Sequence, residues 1–225
     1  AAILVLLSFA AAVLILHQRK LAQQPVLLAT LLLMLLFWQG LLGKWTVTLR
    51  LHPLVVMSHL LGGFALLSVL WLLLLRLKPF HIPACTSQEE KLRPWAILGL
   101  LFIILQISLG GWTSANYAAF VCTDFPMCQG QWWPPMNFSA GFHLSFNAEQ
   151  NYEGGVLSTT ARTAIQMSHR LGALITTSYL ACLIYKLFGT RQGSLLRRIG
   201  LILLLLLIIQ ISLGALNVLW ALPLL

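Results

Sequence analysis

Apolar residues run along this chain in six stretches, Ala1–Leu16, Val26–Leu42, Leu54–Leu75, Trp95–Gly111, Arg162–Tyr185 and Leu195–Leu213, with polar and charged residues gathered between them. All but the first, which is short, match the length of about 17–25 residues that crosses a bilayer as α-helix. The pattern predicts an all-α, polytopic transmembrane helical bundle with about six helices in this chain.

Composition points the same way, since 59% of the 225 residues are hydrophobic and only 8% charged. The basic residues then orient the spans. Arg19 and Lys20, then Arg76, Lys78, Lys91 and Arg93, then Lys186, Arg191, Arg197 and Arg198 fall in every second segment between spans, and so share one side of the membrane. They are ten of the 14 Lys and Arg residues, which makes that side cytoplasmic and the segments Gly43–Pro53 and Trp112–Ala161 external. A formal charge of +9 thus reads as topology and contact with anionic lipid headgroups, and no groove for nucleic acid is indicated. The chain opens inside an apolar run at Ala1-Ala2-Ile3 and closes at Pro223-Leu224-Leu225, where another helix would begin. It therefore reads as a piece of a longer polypeptide.

The external segment of about 50 residues is the longest outside the spans, and loops of that length usually carry function or structure of their own. It holds Cys122-Thr-Asp-Phe-Pro-Met-Cys128, followed by Gln-Gly-Gln-Trp132-Trp133-Pro-Pro. An oxidising outer compartment and five intervening residues favour a disulfide between Cys122 and Cys128, structural or redox-active, over free thiols or a metal site. Cys85, in a cytoplasmic segment, and Cys182, within a span, are expected to be reduced and inert. Trp132 and Trp133 suit a lid lying at the level of the headgroups.

An internal repeat carries the chemistry. Met57-Ser-His-Leu-Leu-Gly-Gly63 nearly recurs as Met167-Ser-His-Arg-Leu-Gly-Ala173, and each copy is preceded by a span ending in a common signature, Gln39-Gly-Leu-Leu-Gly43 or Gln106-Ile-Ser-Leu-Gly110. A third signature, Gln210-Ile-Ser-Leu-Gly214, closes the last span, and by the first pair's spacing its histidine helix would lie beyond Leu225. Duplication of this kind places the functional site inside the repeats or between them. At 1.5 Å per residue His59 lies roughly 9 Å into its helix, and His169, seven residues after Arg162, lies at a similar depth. Ionisable residues at such depth are costly and usually face a bundle interior. Each histidine could be hydrogen-bonded to a neighbouring helix; the reading favoured is an axial ligand to haem iron, with Gly62 and Gly172 giving either close helix packing or room for a flat ring. Arg170 could pair with a haem propionate, a backbone carbonyl or a lipid phosphate. Zinc is disfavoured, because neither histidine has a second nitrogen or sulfur ligand at helical spacing.

The other titratable residues carry less. His17 and His81 fall at cytoplasmic edges, and His52 and His143 fall in external segments where solvation is favoured over contact with a propionate. Glu89 and Glu90 are cytoplasmic, and Asp124, Glu149 and Glu153 are external. With no acid in a span, a proton relay of paired carboxylates through the bundle is disfavoured.

The run Leu109-Gly-Gly-Trp-Thr-Ser-Ala-Asn-Tyr-Ala-Ala-Phe-Val-Cys-Thr-Asp-Phe-Pro-Met-Cys-Gln-Gly-Gln-Trp-Trp-Pro-Pro135, together with the two Met-Ser-His helices, resembles the heme A synthase family of respiratory-oxidase assembly enzymes. The resemblance covers essentially the whole chain. It implies eight helices in two duplicated four-helix halves, of which this chain covers the second to the seventh. Residues 1–78 would belong to the N-terminal half-bundle on the substrate-haem side, 79–94 to a cytoplasmic linker, and 95–225, with the external loop 112–161, to the C-terminal half-bundle on the haem b side. It further implies that His59 binds the substrate heme O, that His169 with Arg170 binds a haem b cofactor, that Cys122 and Cys128 match the cysteine pair of the second half's outer loop, and that a methyl group of heme O is oxidised to the formyl group of heme A.

The implied partners are heme O, the heme O synthase that supplies it, membrane lipids and an unidentified electron partner, with a homo-oligomer left open. The implied location is the bacterial cytoplasmic membrane or the mitochondrial inner membrane. The family's partner histidines on its second and eighth helices are absent from this chain, as are its first outer loop with its cysteines and an acidic residue beside the second-helix histidine. These 225 residues alone are therefore expected to be inactive. Two alternatives belong to other classes: a diheme b-type electron carrier, which would leave both haems unmodified, and a repeat-built transporter, which would carry no haem and would usually need broken helices at midplane.

Overall fold

A computed structural model describes residues 2–18, 25–77, 90–144, 147, 149–191 and 194–220. Arg19, Lys20, Lys78, His81, Cys85 and Glu89 lie outside the described residues. The chain forms α1 (Ala2–His17), α2 (Val26–Thr48), α3 (Pro53–Leu77), α4 (Arg93–Ala115), a short α5 (Phe138–Gly141), α6 (Thr159–Phe188) and α7 (Leu195–Leu219), with one 3-10 turn at Ala118–Val121. The six predicted spans are α1 to α4, α6 and α7. Five of these are long and apolar enough to cross a membrane, and α1 is shorter. None of the five has more than 28% of its apolar window buried within the chain, so their large side chains face outwards, as expected where the surrounding solvent is lipid. The chain is an integral membrane protein.

The outer ends differ from those predicted. α2 continues from Leu42 to Thr48 and α4 from Gly111 to Ala115. Hydroxyls keep these polar turns helical by bonding back along the helix: Thr46 donates to the carbonyl of Gly43 at 2.7 Å and Thr113 to that of Leu109 at 2.8 Å. The segment predicted as a loop over Gly43–Pro53 therefore shrinks to Leu49–His52, where Arg50 and Leu51 take left-handed φ of 48° and 59°. Pro53 opens α3, a position that needs no N–H. α6 starts at Thr159, its N-terminus capped by the Ser158 hydroxyl, which accepts from Ala161 N. His169 thus lies ten residues into its helix, about 15 Å at 1.5 Å per residue, deeper than predicted.

The chain divides into two compact units, Ala1–Pro83 with Phe146–Tyr152, and Ala84–Ser145 with Glu153–Leu225. In the first, Ala12 and Ile15 of α1, Ala29 and Leu32 of α2, and Val69 and Leu73 of α3 form the core. In the second, Leu180, Leu183 and Leu187 of α6 pack against Trp95 and Ile103 of α4 and Leu196, Leu203 and Leu207 of α7. Between apolar helices in lipid the gain comes from close contact rather than from exclusion of water, and small residues allow it. A Cβ at Gly99 would stand 3.3 Å from the Leu183 side chain.

The long external segment of the second unit is anchored at the outer ends of α4 and α6. The buried Trp112 indole donates to Gly141 O at 2.9 Å, and Asn137 N donates to Thr160 O at 3.1 Å. Gly141 is required by this approach, because a Cβ there would lie 2.7 Å from Ala161 O. Trp132 and Trp133 remain exposed.

Candidate functional site

Each unit contains the same reciprocal contact between two antiparallel helices. A glutamine and a glycine four residues later share one face of the first helix; a histidine and a glycine three residues later share one face of the second. In the first unit these are Gln39 and Gly43 of α2, and His59 and Gly62 of α3. Gln39 Nε2 donates to the backbone carbonyl of His59 at 3.1 Å. A Cβ on Gly62 would collide with the Gln39 amide, and one on Gly43 would rest 3.5 Å from His59 Cε1, an ordinary contact. The His59 side chain is exposed.

The second unit tightens the arrangement. Gln106 of α4 donates from Nε2 to the carbonyl of His169 at 3.1 Å, and the same nitrogen lies 2.9 Å from His169 Nδ1. A Cβ on Gly110 would approach His169 Cε1 to 3.0 Å, and one on Gly172 would meet Gln106 Oε1 at 2.6 Å and Leu109 Cδ1 at 2.8 Å. His169 is half-buried, and Gln106 Oε1 is buried with no hydrogen-bond partner among the described residues. The glycines after the two histidines therefore accommodate glutamine side chains. This is the close helix packing expected as one of their two uses.

Arg170, next along α6, reaches into the external loop. Its Nη1 donates to Met127 O at 2.7 Å and Pro126 O at 3.3 Å, and its Nη2 to Asp124 O at 3.0 Å and Cys122 O at 3.2 Å. Among the partners considered from sequence, backbone carbonyls are those present, and Nε is buried without one. All four carbonyls belong to the ring closed by the expected Cys122–Cys128 disulfide, whose Cα atoms are 4.6 Å apart. Both cysteines are buried against Met167, with Val121 and Met136 around them. Asp124 fixes the other side of the ring by accepting from Gln129 N and Gly130 N, each at 2.8 Å, where the chain turns through positive φ. The Gly130 N–H above all holds its carboxyl below the usual value; burial, the next largest effect, opposes it, and the Gln129 N–H, the group's own backbone N–H and the Arg170 charge add to the lowering. Gln129 in turn donates to the Thr163 hydroxyl of α6 at 3.1 Å.

The other sequence candidates do not join these clusters. His52, expected to be solvated, is only 2% exposed: the tight turn at its own position and Tyr152 enclose it, the two rings meeting edge to face at 4.8 Å. Tyr152 is held there by its N–H on Arg50 O at 3.1 Å. His143, His17, Glu90, Glu149 and Glu153 are exposed. Cys182 is a free, exposed thiol on α6. Among the described residues no three His, Cys, Asp and Glu side chains gather to hold a metal ion. The repeated Gln and Gly positions stand in the sequence as a signature that does not name their contacts. The available signal was the four-residue Gln–Gly spacing set against the three-residue His–Gly spacing.

The family profile described as COX15-CtaA, cytochrome oxidase assembly protein, matches residues 1–225. The chain is 45% identical over 205 residues to the heme A synthase of Shewanella oneidensis, covering 91% of the chain and 61% of that protein. It is 27% identical over 189 residues to the heme A synthase of Neorickettsia sennetsu, covering 82% and 53%, and 28% identical over 141 residues to that of Caulobacter vibrioides, covering 60% and 37%. The chain thus spans about three-fifths or less of the length of these curated relatives. No solved structure matches it.

Proposed function

Since the chain belongs to the COX15-CtaA family of cytochrome oxidase assembly proteins, we propose that the protein is a heme A synthase, an oxidoreductase that turns a methyl group of heme O into the formyl group of heme A for respiratory oxidases. The observation that carries this reading is the duplicated clasp, in which each unit sets one histidine against a glycine of the neighbouring helix and pins the helix pair with a glutamine. The donor set fits haem. A multidentate ion would need several clustered side chains, whereas a porphyrin already holds its iron and asks the protein only for axial donors, which imidazole supplies.

His59, with its exposed ring, would bind the iron of the substrate heme O. His169 would hold a resident haem b, which when bound supplies one-electron redox chemistry. Arg170 serves the same side by fastening the disulfide ring beside His169, and its Nε–H is the donor left for a propionate. The Cys122–Cys128 disulfide fits a structural clasp for the loop that covers the outer end of α6. In this account residues 1–78 form the substrate side and 95–225 the haem b side, joined by a cytoplasmic linker over 79–94.

An outer-side disulfide and the basic residues at opposite helix ends, Arg76, Arg93, Lys186 and Arg197, support a bacterial cytoplasmic or mitochondrial inner membrane with the cysteine loop outside. Turning a methyl into a formyl group removes two electron pairs and adds one oxygen atom, so the reaction needs an electron acceptor and an oxygen donor such as water or dioxygen; the protein would work within lipid with an electron partner and with a heme O synthase that supplies its substrate, as a monomer or homo-oligomer. The test is to express the full-length protein in cells that make heme O but no heme A and to analyse the extracted haems. Heme A is expected; heme O alone, despite protein in the membrane, would contradict the assignment.

A further inference from the structure

Arg162 stands in the first turn of α6, where it is half-buried, has no acidic residue beside it in that turn, and makes no side-chain hydrogen bond or ion pair among the described residues. A cation there opposes the helix macrodipole, whose positive end lies at the N-terminus, and a half-buried guanidinium without acceptors is itself costly. Both penalties are relieved by an anion that the described residues do not supply. We propose that this anion is a propionate of haem b, held by the Arg162 guanidinium with the Gln166 amide as a second donor. The inference rests on the ligand role proposed for His169.

Arg162, Gln166, His169 and Ala173 follow one another at spacings of four, three and four and so form one stripe along α6. Arg162 lies about 10 Å from His169 along the helix, on its outer side, and the seven residues between them make close to two full turns, so the two side chains leave the helix in nearly the same direction. Propionates project from the rim of a porphyrin, and a haem bound at His169 with that edge turned outwards brings a carboxylate towards Arg162. Gln166, between the two, is only 5% exposed. Its Oε1 is buried, and neither end of the amide has a partner among the described residues, so Nε2 is free to donate to the carboxylate without breaking another bond. The Nε of Arg162 is buried too, which leaves its two Nη groups, the planar fork that matches a carboxylate. Arg170 has no such fork to offer, because both of its Nη groups are taken by ring carbonyls.

The repeat isolates the feature. Setting His59 against His169 places His52, Val56 and Leu60 where the second unit has Arg162, Gln166 and Arg170. His52 is closed in against Tyr152, and Val56 and Leu60 carry no polar side-chain atom. The histidine helix of the first unit thus has neither guanidinium nor amide above its histidine. Two added donors suit a haem that stays, and their absence suits one that must leave as product.

The experiment uses the full-length protein prepared without haem in mild detergent and titrated with haem b or with its dimethyl ester, in which both propionates are uncharged; binding is read from the absorption spectrum. Wild type should bind haem b more tightly than the ester. Arg162→Gln should weaken haem b about tenfold or more, the scale of one lost charge-assisted hydrogen bond, and leave ester binding unchanged. Gln166→Leu and the milder Arg162→Lys should show the same selectivity with a smaller loss. Unchanged haem b binding by Arg162→Gln would overturn the proposal and mean that the arginine meets another anion, such as a lipid phosphate or an acidic side chain. Equal weakening of both haems would overturn it as well, since the arginine would then only support the fold. Undiminished binding of both haems by His169→Ala would instead remove the ligand reading on which the proposal rests.

Discussion

The clasp of α2 and α3 and the clasp of α4 and α6 are built from the same four residue types at the same spacings, yet one is open and the other is covered. In the first, four residues, Leu49–His52, join the helices, and His59 is exposed. In the second, the helices are joined by a segment long enough to fold: a disulfide ring, an Asp124-capped turn and a 3-10 turn sit on the outer end of α6, and Arg170, the residue after His169, bonds to that ring. A duplicated helix pair thus sets where a histidine stands, while the connecting segment sets how enclosed it is. That difference suits one half to a group that comes and goes and the other to a group that stays.

Removing the cover should have the largest effect on stability. A short disulfide ring is worth about 2 kcal/mol by loop-closure entropy, and Cys122→Ser also frees the carbonyls that Arg170 holds together. Thermal unfolding in detergent should show a lower midpoint for Cys122→Ser than for wild type, with the second unit affected first; limited proteolysis should then cut within residues 116–144. Equal midpoints would mean that the ring is not the cover. The glycines sharpen the comparison. Gly110→Ala brings a Cβ to 3.0 Å from the His169 ring and should cost about 1–3 kcal/mol, whereas Gly43→Ala, at 3.5 Å from His59, should stay within about 0.5 kcal/mol. Equal costs would show that the two clasps are equally tight.

The smallest effect is electrostatic. Asp124 has its carboxyl held below the ordinary value of 3.8 in the folded loop, chiefly by the Gly130 N–H. The folded group is therefore the stronger acid: its contribution is fully present above the unfolded value and fades as pH falls through the folded one. The loop should loosen in acid below about pH 4, as read by proteolysis, and Asp124→Asn should be looser at neutral pH and lack that acid step.

The apolar runs made six helices legible, because in lipid an unbroken stretch of Leu, Ile and Val has few other structures available. Their outer ends were not legible, since Thr46, Thr48 and Thr113 look like loop residues until their hydroxyls are seen bonding back to the helix. The repeat was legible as a string, and helical spacing put each glycine on the face of its histidine. What fills the space over Gly62 and Gly172 was not, because spacing within one helix does not name the side chain that arrives from the next. Arg170 shows the same limit: its partners are carbonyls, which have no signature of their own. His52 escaped the sequence because the residue that covers it, Tyr152, lies a hundred positions away in the chain.

The central claim is that one histidine in each unit is a haem ligand, and the most direct measurement is the haem content of the purified full-length protein as wild type, His59→Ala and His169→Ala, by absorption spectrum and chromatography of the extracted haems. Wild type should carry haem b together with heme O or heme A; His169→Ala should lose the haem b, and His59→Ala should keep it while losing the other. A wild-type complement of both haems in either variant would contradict the account.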